Sequence, residues 1–332
     1  MTHQAGALSP GGPPARATRH ISVGRLLADY AIVWVVLGLF ALLAITTPNF
    51  LTAANMRNIL DQQSLVLIAA SAATITMIAG GFDISQGAIF VAAPLVALAV
   101  EIATGITLLA FLAGCAFGLA AGALNAGVVT LGRINSFIAT LATSFIIFGL
   151  GFIVSDRSLL RPDDRDAFAV FARTDIGGIT SATVFAIVVV VACWFLLSRT
   201  RFGRYVYAVG GNADAARLAG VQVRWVIAST FLLSGLAAGL AGTLRASRTM
   251  SATPSDDFSF VFTVIAAVVV GGTSIAGGEG SIWRTVLGAF FIAFMINGFN
   301  LHQVDPIFQR IVQGTVILAA VAVDSWSRSQ RS

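Results

Sequence analysis

Long apolar runs separated by short polar breaks set the pattern of this chain. A helix that crosses a bilayer needs roughly 20 largely apolar residues. Runs of that kind fall near 30–47, 63–81, 85–101, 106–129, 135–154, 180–198, 225–243, 256–272, 284–301 and 307–324. The pattern predicts an all-α integral membrane protein of about ten transmembrane helices. The second and third runs almost fuse, as do the eighth and ninth, and both junctions are rich in glycine. Residues 1–29 are polar and rich in Gly, Pro and Arg. They read as a disordered cytoplasmic tail, with a surface helix near Ile21–Tyr30 and a first membrane helix that is retained. Residues 30–325 read as the membrane domain and 326–332 as a second cytoplasmic tail.

Composition agrees with the pattern. The 332 residues are 57% hydrophobic and 11% charged, and mean hydropathy is +0.88. A soluble domain is about a quarter charged, and so few polar residues cannot cover a water-facing surface. All 20 basic residues are Arg. A phosphate-binding Walker loop requires Lys, so no such loop occurs here, and any ATP that drives this chain is bound by another subunit. The basic balance reflects loops between spans and gives no reason to expect nucleic acid. Cys115 and Cys193 lie in apolar runs and read as small buried hydrophobes.

The arginines also indicate orientation, because cytoplasmic loops of membrane proteins are enriched in them. The loop after the sixth run carries Arg199, Arg201, Arg204, Arg217 and Arg224 against Asp214. The loop after the fifth carries Arg157, Arg161, Arg165 and Arg173 against five aspartates. With ten spans this predicts both termini inside. Arg245 and Arg248 then fall outside, against the rule.

Three groups of residues carry candidate chemistry. Gly80-Gly81-Phe82-Asp83-Ile84-Ser85-Gln86-Gly87 and Gly271-Gly272-Thr273-Ser274-Ile275-Ala276-Gly277-Gly278 share the pattern Gly-Gly-x-x-Ile-x-x-Gly. Glycine disfavours helix and permits unusual backbone angles, so each should break a membrane helix, and paired breaks point to an internal repeat around a path. Asn212, Asp214 and Gly220 are an N-cap, a favourable first-turn acid and a stop for one short helix. That helix is too short to stand alone in water, so it must dock, which suits mechanical coupling to a motor subunit through Asn212, Asp214, Arg217, Leu218 and Gly220. Ser71, Thr74, Thr76, Asn125, Thr140, Thr143, Ser144, Asn297 and Asn300 are polar positions inside spans, read either as lining for a hydroxylated solute or as interhelical hydrogen bonds. Gly114, Gly118 and Gly122, and Gly235 and Gly239, lie four apart on helix faces, as close packing or as a sliding interface. Asp and Glu are absent from span centres, which argues against an ion-coupled secondary carrier, and no catalytic constellation supports a membrane enzyme.

These segments resemble a known family. Thr47 to Thr52, Gly80 to Ser85, Gly132 to Leu141, Thr200 to Asn212, Ala216 to Val221 and Gly271 to Gly280 occur in an order and spacing similar to those of permease subunits of ribose/xylose/arabinose-type ABC sugar importers. The resemblance spans about Tyr30 to Asp324. It implies a dimeric pore with a second permease copy or paralogue, a sugar-binding protein outside, and a cytoplasmic ATP-binding subunit coupled through Gly210–Val221. It implies no cofactor in this chain and a bacterial plasma (inner) membrane. Branched-chain amino-acid permeases share the broad fold and stand as the alternative substrate class. The chain departs from the family wording at Phe82, Ile84 and Gln86, at Glu279, and at Val261 and Thr263, so the resemblance does not carry over a particular sugar.

Overall fold

The apolar runs do form helices. The computed structural model describes residues 31–329, so the expected tail at 1–29 and residues 330–332 lie outside the described residues. In order, the elements are α1 (Ala31–Thr46), α2 (Ala53–Ile78), α3 (Ser85–Thr104), α4 (Thr107–Thr130), α5 (Ser136–Val154), α6 (Arg165–Arg173), strands β1 (Asp175–Ile176) and β2 (Ile179–Thr180), α7 (Ser181–Arg199), α8 (Arg201–Gly211), α9 (Ala213–Leu218), α10 (Val223–Thr249), α11 (Ser259–Val270), α12 (Ile282–Leu301) and α13 (Pro306–Ser329). Among the described residues, α2, α3, α4, α5, α7, α10 and α12 are seven helices long and apolar enough to cross a membrane. Leu108, Leu112, Phe145, Ile146, Ile187 and Val191 are exposed on α4, α5 and α7, as expected of faces that border lipid.

Boundaries differ from the apolar runs where helices carry polar turns. α2 begins at Ala53, ten residues before the apolar run, because Thr52 caps it by accepting from Asn55 N. Its polar first turns have partners: Asn55 bonds Asn297 in both directions at 3.0 and 2.8 Å, and Gln63 donates to Ala289 O at 2.9 Å. α10 likewise runs on to Thr249. Here Arg248 donates to Asp61 O at 2.9 Å and pairs with the Asp61 carboxylate at 3.7 Å. α11 has only 12 residues, about 18 Å of helix at 1.5 Å per residue, which is short of a bilayer core. α13 continues to Ser329, past the expected start of the C-terminal tail.

The segment between α5 and α7, read from sequence only as a loop, holds α6 and the β1–β2 hairpin. Asp164 caps α6 by accepting from Ala167 N. Buried Glu101 at the end of α3 accepts from the backbone N–H groups of Asp163 and Asp164 at 2.9 and 3.1 Å. An arginine–aspartate pair, Arg57 with Asp175, ties the hairpin to α2.

The two glycine stripes face each other, which resolves their reading in favour of close packing. A Cβ on Gly118 would overlap Gly235 O and stand 2.7 Å from Gly239 Cα, and one on Gly122 would stand 2.5 Å from Phe231 O. α4 and α10 therefore touch backbone to backbone, which small residues allow in lipid. Gly118→Val should lower the melting temperature in detergent by several degrees, since overpacking costs about 1–3 kcal/mol and backbone atoms cannot rotate away. An unchanged melting curve would contradict this packing.

Candidate functional site

Both glycine clusters break a helix with the same local geometry. At the end of α2, Gly80 N bonds Met77 O at 2.9 Å and Gly81 N bonds Thr76 O at 2.9 Å. At the end of α11, Gly272 N bonds Val269 O at 2.8 Å and Thr273 N bonds Val268 O at 3.1 Å. Each is a Schellman cap with a left-handed glycine, Gly80 at φ 82° and Gly272 at φ 81°. The structural match thus pairs Gly80 with Gly272, one residue out of step with the sequence pattern. Beyond the caps the segments diverge: α3 starts at Ser85, whereas α12 starts only at Ile282.

The structure brings these breaks and the basic loop to one place. Gly278 N donates to Ile78 O at 2.9 Å. A Cβ on Gly210 would overlap Ile78 O and stand 2.6 Å from Gly278 N, and one on Gly277 would stand 3.0 Å from Gly210 O and 3.1 Å from Gly80 Cα. Tyr207 on α8 donates to Gly280 O at 2.8 Å. Three chain segments far apart in sequence thus meet backbone to backbone at Gly80, Gly210, Gly277 and Gly278, approaches that only glycine permits. A Cβ on Gly211 would meet nothing, and Gly87 borders Val261 of α11. Gly271 packs on Arg284 O and Thr285 of α12.

α9 projects from this junction. Asn212 caps it by accepting from Ala215 N at 2.9 Å, and Arg217 donates to Asp214 at 3.0 Å in an exposed pair. Gly220, at φ 86°, closes it with Gly220 N to Arg217 O and Val221 N to Ala216 O, both 3.0 Å. Ala216 is buried, whereas Leu218 is 91% exposed. Arg204 is exposed on α8. The expected coupling residues therefore form one unit whose base is wedged between the two breaks.

A second cluster occupies the first break. Asp83 accepts from Ser85 N at 3.0 Å, Ser85 Oγ at 2.6 Å and Ser234 Oγ at 2.5 Å. Asn125 donates to Ser85 Oγ at 2.6 Å and accepts from Thr143 Oγ1 at 2.6 Å. Gln86 donates to Ser234 Oγ at 2.7 Å. α5 supplies acceptors for the unwound backbone: Phe82 N donates to Ser136 Oγ at 3.0 Å and Ile84 N to Thr140 Oγ1 at 3.1 Å. All of these side chains except Ser136 are buried. Four helices are joined by one polar network, and backbone freed from a helix finds side-chain partners as it must inside a membrane protein.

The remaining polar positions divide. Ser71, Thr74, Thr76 and Ser144 are buried and bond carbonyls of their own helices, with Thr74 also touching Thr285 at 2.7 Å and Thr76 reaching Thr230 O at 3.1 Å. Asn297 belongs to the pair with Asn55, and Asn300 accepts from Gln309 at 3.0 Å. Thr273 and Ser274 are buried in the second break. The sequence marks Gln86 only as a departure from the family wording, and it gives no role to Ser234, Ser136 or Tyr207. For Ser234 and Ser136, a polar side chain inside an apolar run was the available signal.

The family described as branched-chain amino acid transport system / permease component matches residues 55–321. The chain is 37% identical over 295 residues to the ribose import permease protein RbsC of Escherichia coli (strain K12), covering 86% of this chain and 90% of that protein. It is 34% identical over 306 residues to the D-allose transport system permease protein AlsC of the same strain, covering 89% and 93%. It is 34% identical over 331 residues to the L-arabinose ABC transporter permease protein AraH of Azospirillum brasilense, covering 100% and 97%. No solved structure matches the chain.

Proposed function

The chain belongs to the branched-chain amino acid transport system / permease component family, and from that membership we propose that it is the membrane subunit of an ATP-driven importer for a monosaccharide or related polyol. As a permease component it is a multi-pass membrane protein and not an enzyme. Relatives named for ribose, allose and arabinose favour a sugar over the amino acids in the family's description.

The observation that carries the mechanism is the wedging of α8–α9 between the two helix breaks. A cytoplasmic ATP-binding subunit grips α9, with Leu218 as its apolar anchor. Movement of α9 reaches both breaks through Gly210, because no flexible side chain lies between them. Asp83 and its partners hold the first break in its unwound form. Solute arrives from an extracytoplasmic binding protein and passes along a path shared with a second permease copy.

Ten crossings with both termini in the cytoplasm of a bacterium fit this reading. The five arginines from Arg199 to Arg224 then lie inside, as the charge rule prefers. Arg248, which runs against that rule, is half of the pair with Asp61 and so has a structural reason for its place.

Leu218→Glu tests the reading. Sugar uptake in cells that express the assembled transporter should fall at least tenfold, about what ~1.4 kcal/mol of lost interaction produces, while the purified permease keeps its melting temperature. Uptake at the normal rate, or uptake that persists without any ATP-binding subunit, would overturn it.

A further inference from the structure

α7 and α12 part to leave an outward-facing groove of about 230 Å³, lined by Val190, Val191 and Trp194 from α7 and by Ile282 and Trp283 from α12. Every lining side chain is apolar or aromatic. Ile282 forms the floor and is buried, while Trp194 is 40% and Trp283 68% exposed. A helix about 10 Å across does not seat in a slot of this size, whereas a hydrocarbon chain does. Paired tryptophans mark the level at which a membrane protein meets the headgroups.

Cations gather at the same level. The Arg199 guanidinium lies 5.7 Å from the Trp194 ring centroid, held over the groove wall by a cation–π contact. Arg201 and Arg204 follow, exposed, on α8. Among the described residues none of these three joins a salt bridge. A basic cluster at the membrane surface attracts anionic lipid.

We propose that this groove is a binding site for one anionic phospholipid, with an acyl chain between Trp194 and Trp283 and the phosphate on Arg199. The inference needs only that the chain is embedded in a membrane, so its failure would leave the transport reading untouched. The lipid strap joins α7, which leads into α8, to α12, which follows the second break. It bridges the two sides of the glycine junction on the lipid-facing surface.

The test uses the full-length permease, purified in detergent and offered phosphatidylglycerol or phosphatidylcholine of identical chains, with retained lipid read by native mass spectrometry. The wild type should retain phosphatidylglycerol about fivefold better, matching the ~1 kcal/mol that one arginine contributes beside anionic lipid. Arg199→Gln should remove that preference, and Trp283→Ala should weaken retention of both lipids. Melting temperatures measured without added lipid show that each variant is folded. If a variant unfolds, the rise in wild-type melting temperature with phosphatidylglycerol over phosphatidylcholine takes its place. Equal retention of the two lipids by the wild type, a preference that survives Arg199→Gln, or loss of the lipid when two permease copies pair would each overturn the proposal.

Discussion

Gly210→Ala should abolish transport. The added methyl group would overlap Ile78 O and approach Gly278 N to 2.6 Å, and all of these are backbone atoms. Relief therefore requires α8 to move away from both breaks at once. The cost exceeds the ~1–3 kcal/mol usual for overpacking, and the displaced segment is the one proposed to transmit force. Uptake should drop by more than about a hundredfold, consistent with over 2.7 kcal/mol of misplacement at tenfold per 1.36 kcal/mol. The neighbouring Gly211→Ala meets no atom within 4 Å and should retain most activity. Equal behaviour of the two variants in an uptake assay would show that close backbone contact at Gly210 is irrelevant.

The second large effect is expected at Asp83. Alanine there would leave Ser85 N and two hydroxyls, those of Ser85 and Ser234, without their acceptor in a buried site. Each orphaned group costs about 1–3 kcal/mol. The melting temperature of Asp83→Ala should fall by at least about 5 °C, and uptake should fall with it. Asp83→Asn keeps the volume and one acceptor oxygen, so it should lie between. Loss of uptake in Asp83→Ala without any loss of stability would point instead to a direct role in the path.

The sequence displays the helices because membrane burial demands long apolar runs, and it displays the breaks because glycine has few other reasons to cluster within such runs. The cap at Asn212 and the stop at Gly220 were readable for the same local reason. What could not be read is everything that depends on which segments meet. Gly210 and Gly278 each stand out in the sequence within their own segment, but their contact is set by the paths of α2, α8 and α12. The polar start of α2 was missed because its side chains bond α12, Asp61 pairing with α10, and a hydropathy window registers only the polarity. Ser234 carries no signal of its own in the sequence beyond its polarity, and only the fold places it against the Asp83 carboxylate. α6 was hidden because its nine residues bury only Phe168 and Ala172.

The glycine seam between α4 and α10 has a mechanical corollary. Along a helix, each residue advances about 1.5 Å, so a slip of one step would bring side-chain-bearing neighbours such as Leu119 and Leu236 toward positions now shared by bare backbone. The seam therefore resists small slips of one helix along the other. α4 and α10 must travel as a single welded plank, and any rocking that opens the protein to alternate sides has to divide it along some other line.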